Sequence, residues 1–499
     1  MSKKSVLIIG AGLAGLAAGC YCQMNNYHTR IFELHNKPGG VATAWKRKDY
    51  IIDGGIHFIM DHKPGQPTYE LYRELGAAQK NPFVDLNVYG RFYDQPTGKI
   101  IDISGDLDRV DADLKALFPE DAREIASLLA GARAMQRDGM DGMDYARPPE
   151  LSDRWEGLRQ LWGMRKLFRY FTGKYAKSAA KYAQDLHHPT LGQVIQYLFM
   201  PEVPVWFVMM ILGMCAEGRL GLLESGSLDF AMSIEQRYQD LGGQVIYNAA
   251  VEEILVEENR AVGVRLADGR EYRADIIVSA ADGYSTIFKL LGGRYLNDKI
   301  KKRYTEWKLC SPSIMVSFGV AREFPEAPPF NTIFLDRSLA VGGHNVDRVF
   351  LRIFNYSSKS ASPGKTVVQV EFETEWDYWH NLRKEDHLLY KTEKERIAGE
   401  VLNVLEKLYP GISSQVEVTD VATPYTTWRY TRNHQGASMA WLYTPELMTT
   451  VMERTLPGLK NFYMAGQWVV GASVPGCLYS GRHITEILCR REGKQFQKC

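Results

Sequence analysis

An α/β fold, in which a parallel-sheet domain is interrupted by an inserted α+β domain, is what three observations predict. A glycine-patterned strand, turn, helix and second strand occupies Ser5 to Glu33. That pattern then stops, and from Thr68 to Leu223 the chain turns helical and aromatic. Near the C-terminus a strand followed by a second glycine-opened helix returns, from Leu459 to Cys489. At 499 residues the chain exceeds what one core usually supports, so a divided architecture is expected. The expected parts of the first domain are 1–67, 224–289 and 449–499; the inserted domain has a helical part, 68–223, and a sheet part, 290–448.

The opening stretch carries Gly10-Ala11-Gly12-Leu13-Ala14-Gly15 after the apolar strand Val6 to Ile9. Gly10 permits a tight turn, Gly12 lets backbone approach a pyrophosphate, and Gly15 lets helix and strand pack closely, while the helix N-terminus offers free N–H groups to phosphate. Glu33 closes the second strand eighteen residues after Gly15, where a carboxylate accepts hydrogen bonds from an adenosine ribose and disfavours a 2′-phosphate. The reading is a Rossmann-like dinucleotide site, and the pattern does not separate FAD from NAD. Lys3-Lys4 and the apolar run to Cys20 resemble a secretory signal. The run continues through the fingerprint glycines into a second strand, so it is read as part of the fold.

Sixty basic and fifty-nine acidic residues nearly cancel, which gives no reason to expect nucleic acid as a partner. Seven cysteines without a C-x-x-C pair fit neither a disulfide framework nor a zinc site, and a cytoplasmic, reducing location is expected. No Ser/His/Asp triad or metal-ligand spacing stands out.

After Glu33 come Pro38-Gly39-Gly40 and then Asp53-Gly54-Gly55-Ile56-His57. A glycine pair there can press a loop against the same pyrophosphate. With these motifs the chain resembles the FAD-dependent phytoene desaturase, carotenoid isomerase and retinol saturase group, a branch of the amine-oxidase-like flavoproteins. The resemblance implies FAD as cofactor and an FAD-binding domain of GR2 type, a parallel sheet plus an antiparallel meander. It also implies that the glycine pair follows the ribose acid and that the segment bearing Gly55 passes near the flavin. His57 then lies on the loop beside the isoalloxazine and is the candidate catalytic residue, since histidine titrates near neutrality and can take up a proton from substrate. The alternative is a structural histidine bonded to a backbone carbonyl.

Within the inserted domain, Ser152 to Ala183 interleaves Arg159, Arg165, Lys166, Arg169, Lys174, Lys177 and Lys181 with aromatic and apolar side chains. A helix-like segment of this kind is expected either to touch an anionic membrane surface or to form a solvated face over a core. Val194 to Ala216 is the most apolar part of the chain, but Pro201, Glu202 and Pro204 interrupt it, so buried helices are expected instead of a membrane span. Phe199, Trp206, Phe207 and the methionines are candidates to line a channel for a long apolar substrate.

The nucleotide domain resumes with a helix over Ser227 to Leu241, a strand over Gln244 to Asn248 and a meander from Val251 to Ser279, its last strand running Glu271 to Ser279. By resemblance the backbone at Val251 meets the adenine and Ala280 closes the strand beside the cofactor. Alternating stretches Ser313 to Val320 and Thr366 to Phe372 predict a second sheet, followed by a helix over Lys391 to Tyr409. Thr423 to Ala437 resembles the family's segment that crosses toward the flavin, with Trp428, Tyr430 and His434 as candidate pocket residues. In the closing motif, Gly466 and Gln467 would sit against the ribityl chain by resemblance. Gln467 stands where many relatives carry an acid. The helix opened by Val474-Pro475-Gly476 presents its positive end to the flavin pyrimidine edge.

The reading that follows is an FAD-dependent oxidoreductase acting on C–C bonds of an apolar, isoprenoid or carotenoid-like small molecule, as desaturase, saturase or isomerase, cytoplasmic with peripheral membrane association. The alternatives are a flavin amine or amino-acid oxidase and a non-enzymatic prenyl-binding escort protein of the GDP-dissociation-inhibitor type.

Overall fold

The computed structural model describes residues 3–138, 147–152, 155 and 162–498. Val6, Leu7, Ile8 and Ile9 are buried on both faces, as a central strand of a parallel sheet requires. Strand Ser5–Ile9 lies third in a five-stranded parallel sheet, between His28–Phe32 and Ile276–Ser279; Gln244–Ile246 and Phe462–Met464 form its edges. Helices Leu13–Met24, Ser227–Asp240 and Val474–Arg491 pack on this sheet through one apolar cluster.

The meander is split where a single strand was expected. Glu271–Arg273 pairs antiparallel with Arg260–Leu266, whereas Ile276–Ser279 pairs parallel with Ser5–Ile9. Between them Asp275 Oδ2 accepts from the N–H and the hydroxyl of Ser5, at 2.8 and 2.9 Å, which ties the chain to the parallel sheet as it leaves the meander. The hairpin at Glu258 and Asn259, φ +48° and +57°, has both turn residues left-handed, as a tight two-residue connection demands.

A mixed seven-stranded sheet forms the second body, ordered Val416–Ala422, Ser313–Val320, Thr366–Glu373, His344–Ile353, Phe330–Val341, Val88–Asp94 and Lys99–Ser104. Its last two strands correct the helical reading of 68–223. Tyr89, Phe92, Ile101 and Ile103 bury one face of this hairpin against helices Ala122–Asp138 and Val205–Ala216, and Asn331 pairs with Arg91 to join it to the sheet. One face of the central strands, with Val316, Val349, Leu351, Val368 and Val370, packs on the long helix His387–Leu408. The opposite face carries Arg352, Gln369 and Glu371, which meet the loop from Asp53 to His57.

The basic segment is not one helix. Arg159 lies outside the described residues; beyond it the chain makes short 3-10 turns, Met164–Lys166, Phe168–Tyr170 and Gly173–Ala176, before helix Ala179–Ala183. Leu167 and Tyr170 are drawn into the core and Gly173 adopts φ +61°, so no continuous helical face forms. The apolar stretch is two helices, Pro189–Tyr197 and Val205–Ala216, and among the described residues no helix is long and apolar enough to cross a membrane.

Candidate functional site

Two fingerprint glycines serve different masters. At Gly15 a Cβ would lie 2.0 Å from the Gly10 carbonyl oxygen, so only glycine lets the helix start this close to the strand. At Gly12, φ −70° and extended, the nearest atom to a Cβ would be Gly39 O at 4.0 Å. Among the described residues nothing requires glycine there; the space in front of that backbone is what a pyrophosphate needs. No side chain caps helix Leu13–Met24, so its first N–H groups are left for an anion. Gly10, at φ +95°, makes the turn, and its N–H donates to Phe32 O at 2.8 Å.

The glycine pair lies on this turn. Gly39 N–H donates to Ala11 O at 2.9 Å, Gly39 bridges to Gly12, and a Cβ at Gly40 would sit 3.5 Å from Gly12 Cα. Glu33 is buried with one oxygen accepting from Ala11 N–H (2.7 Å) and the other from His35 N–H (2.8 Å). Burial pushes its carboxyl up, against these backbone bonds. Each oxygen keeps a second lone pair for a ribose diol. Ala249 N–H donates to Glu33 O, which brings the start of strand Val251–Glu257 beside the acid.

The C-terminal segment closes over the same turn. Ala280 N–H donates to Ile9 O, Ala465 N–H to Ser279 O, and Gly466 N–H to Ser480 Oγ at 2.8 Å. A Cβ at Gly466, φ +92°, would lie 3.4 Å from the Ala14 methyl, so Gly466 and Gln467 stand next to the fingerprint helix. A Cβ at Gly481 would come 2.5 Å from Ala14 O and Ala18 N; this close crossing of two helices, invisible without the fold, is what draws the two ends of the chain together. At Val474-Pro475-Gly476 the positive helix end is partly spent, because Ser473 Oγ accepts from Gly476 N–H at 3.0 Å and Pro475 has no N–H. That leaves the Val474 N–H of the three.

The Asp53–His57 loop is held from all sides. A Cβ at Gly55 would meet Ala42 Cα and Val41 O at 2.8 Å. The Asp53 carboxylate accepts from Ser227 N–H (2.6 Å), Ser227 Oγ (2.8 Å) and Gly55 N–H (3.0 Å), anchoring the loop to helix Ser227–Asp240. Gln369 Nε2 donates to Asp53 O at 2.9 Å and Arg352 Nη2 to Ile56 O at 3.2 Å. His57 Nε2 is 3.1 Å from Glu371 Oε1, so its partner is a carboxylate and not a backbone carbonyl. Phe350 and Phe330 flank the ring edge-on at 5.5 and 6.5 Å. Burial works to raise the Glu371 carboxyl, but the charges of His57 and Arg352 outweigh it and hold it below the usual range.

Sequence reasoning missed Ser227, Arg352, Gln369 and Glu371. Their one signal was the polar positions Gln369 and Glu371 between Val368, Val370 and Phe372, which give the strand a charged face opposite its core face.

Of the three aromatic candidates on the crossing segment, His434 stacks on Tyr284 (3.9 Å, 12°) and lines a cavity of about 400 Å³ with Tyr304, Lys308, Cys310 and Trp441. Trp428 packs on Trp376 and His380 instead, and Tyr430 covers His35 at the surface. Asp282, which accepts from Ser285 N–H and His434 N–H at 2.6 and 2.8 Å, is pushed up to about 6 by burial. Phe199 and Phe207 pack together at 4.9 Å and on Tyr443 at 6.5 and 6.4 Å; a Cβ at Gly471 would come 3.0 Å from the Tyr443 hydroxyl. Among the described residues no cluster of His, Cys, Asp and Glu could hold a metal.

A family model described as "Flavin containing amine oxidoreductase" matches residues 13–487. A prolycopene isomerase from Daucus carota is 30% identical over 449 residues, 87% of this chain and 71% of the relative. A lycopene-forming phytoene desaturase from Paracoccus sp. is 23% identical over 513 residues, 98% of this chain and 97% of the relative. Among solved structures, an oxidoreductase from Methanosarcina mazei superposes with a TM-score of 0.61 at 18% identity, covering 97% of this chain and 100% of that one, a likeness of fold.

Proposed function

The chain belongs to the flavin containing amine oxidoreductase family, and we propose that within it the protein acts on C–C bonds of an apolar isoprenoid of the carotenoid kind, as a desaturase, saturase or isomerase. The protein is an FAD-dependent oxidoreductase. The observation that supports the narrower reading is the aromatic packing of Phe199, Phe207 and Tyr443, which reaches the Gly471 loop beside the Gly466 segment and makes the surroundings of that loop suit a long hydrocarbon. An amine substrate would want polar partners there. The relatives named as desaturases and isomerases of carotenoids match along most of the chain, which supports the same choice.

Bound FAD supplies two-electron hydride chemistry. We assign the backbone around Gly12 and Gly39-Gly40 to the pyrophosphate, Glu33 to the ribose, these aromatics to orienting substrate and excluding water, and His57 to holding a proton at a ring nitrogen. Anaerobic mixing with phytoene, prolycopene and simple amines tests the reading. Bleaching of the flavin spectrum by phytoene marks a desaturase, conversion of prolycopene without net bleaching marks an isomerase, and bleaching by amines alone overturns the proposal.

We further propose a cytoplasmic protein that touches anionic membranes through the basic segment. Lys166, Lys174 and Lys177 pair with Asp138, Glu124 and Asp185, so among the described residues Arg165, Arg169 and Lys181 are the cations left without an acid. Trp162 and Phe168 stand exposed beside them.

A further inference from the structure

Arg352 is 1% exposed and reaches three groups at once. Its Nη1 donates to Gln369 Oε1 at 3.0 Å and lies 3.6 Å from Glu371 Oε1, while Nη2 donates to the carbonyl of Ile56, the residue immediately before His57. One guanidinium therefore fixes both the carboxylate and the backbone that carries the imidazole. We propose that Glu371, braced by Arg352, is a positioning residue: it holds the neutral His57 ring in the Nε2–H tautomer, so that Nδ1 is the nitrogen that accepts a proton during turnover.

The argument runs through donors and acceptors. An ionised carboxylate only accepts, so the 3.1 Å contact from Glu371 Oε1 requires that Nε2 carry the hydrogen. In a neutral ring the other nitrogen is then bare. Among the described residues His57 makes no hydrogen bond through Nδ1, and the rings of Phe350 and Phe330 stand edge-on beside it. The buried Arg352 guanidinium beside Glu371 favours the ionised carboxylate whatever the charge on the ring. No other charged side chain among the described residues is bonded to the ring: Asp53, on the same loop, is turned to Ser227 and Gly55. The proton Nδ1 would take up is one lost by substrate in the oxidation proposed above, so the role of Nδ1 rests on that function, whereas the tautomer does not.

Ring nitrogen-15 spectra of the FAD-loaded protein, labelled at histidine and assigned with His57→Gln among its 11 histidines, read the tautomer directly. The wild-type ring is expected as Nε2–H at alkaline pH. Glu371→Met, which removes the acceptor, and Glu371→Asp, which withdraws it by one methylene yet keeps a charge beside Arg352, should both move the ring toward the Nδ1–H form. Both should also slow substrate reduction of the flavin about tenfold or more. Glu371→Gln, which keeps an acceptor oxygen, should restore much of the wild-type spectrum. An unchanged His57 spectrum in whichever of the Met and Asp variants folds overturns the proposal, whatever the rate. A shifted spectrum in a protein whose flavin no isoprenoid reduces leaves the pairing standing and removes the function proposed for it.

Discussion

The turn at Gly10–Gly15 and the sheet face around Glu371 form a contrast in how a chain stores chemistry. At the turn the functional atoms are backbone, supplied within six residues, and the protein advertises them by leaving out side chains. At the sheet face they are side chains from positions 57, 352, 369 and 371, which a loop of one domain and two strands of another bring together. A backbone site is therefore legible locally, and a side-chain network is legible only through its partners. The glycines refine the contrast: Gly15 answers to packing and Gly12 to open space, although the fingerprint treats them alike.

Breaking the turn separates these roles. Gly15→Ala drives a methyl into the Gly10 carbonyl and should cost on the order of 3 kcal/mol or more of stability, visible as a large drop in thermal midpoint or loss of soluble protein. Gly12→Val should fold as the wild type does and yet bind FAD at least about 100-fold more weakly, roughly 2.7 kcal/mol. Yellow Gly12→Val protein with undiminished affinity would show that the space in front of Gly12 is not the pyrophosphate's.

On the sheet side, His57→Gln should retain fold and FAD while slowing flavin reduction about 10²-fold and removing a limb of the pH profile. Normal turnover with an unchanged profile would return His57 to a purely structural place on its loop. Asp282 sharpens the comparison from a third position, because burial raises its carboxyl to about 6 from an ordinary value of about 3.9. A raised acid stabilises the folded state fully below its ordinary value and loses that contribution as pH rises through about 6. Relative to Asp282→Asn, the wild type should then lose up to about 3 kcal/mol between pH 4 and 7, measured by urea unfolding. A flat difference would mean that the carboxyl is already ionised in the fold.

The smallest effect belongs to the membrane. Arg165→Ala and Arg169→Ala should each weaken sedimentation with anionic vesicles by about 1 kcal/mol, an effect that salt suppresses. Equal binding to neutral vesicles, or none to either, would leave the segment as solvated surface.

From residues alone followed the parallel strands, the helix after the fingerprint and the presence of a second sheet, because hydrophobic period and glycine position act over a few neighbours. The resemblance that rests on Gly39-Gly40 and Asp53-Gly-Gly55 added the flavin. Where local pattern and distant contact competed, distance won: the basic run folded as short turns because Leu167 and Tyr170 were drawn inward, and strands Val88–Asp94 and Lys99–Ser104 left the helical region to complete a sheet with Phe330–Val341. Only the tertiary structure decided that Ser473 takes the Gly476 N–H, that Gly481 lets the last helix lie on the first, and that Glu371 rather than a carbonyl faces His57. Each of these depends on a pair of atoms far apart in the chain, and an unpaired donor, acceptor or missing methyl carries no mark in sequence of where its partner will come from.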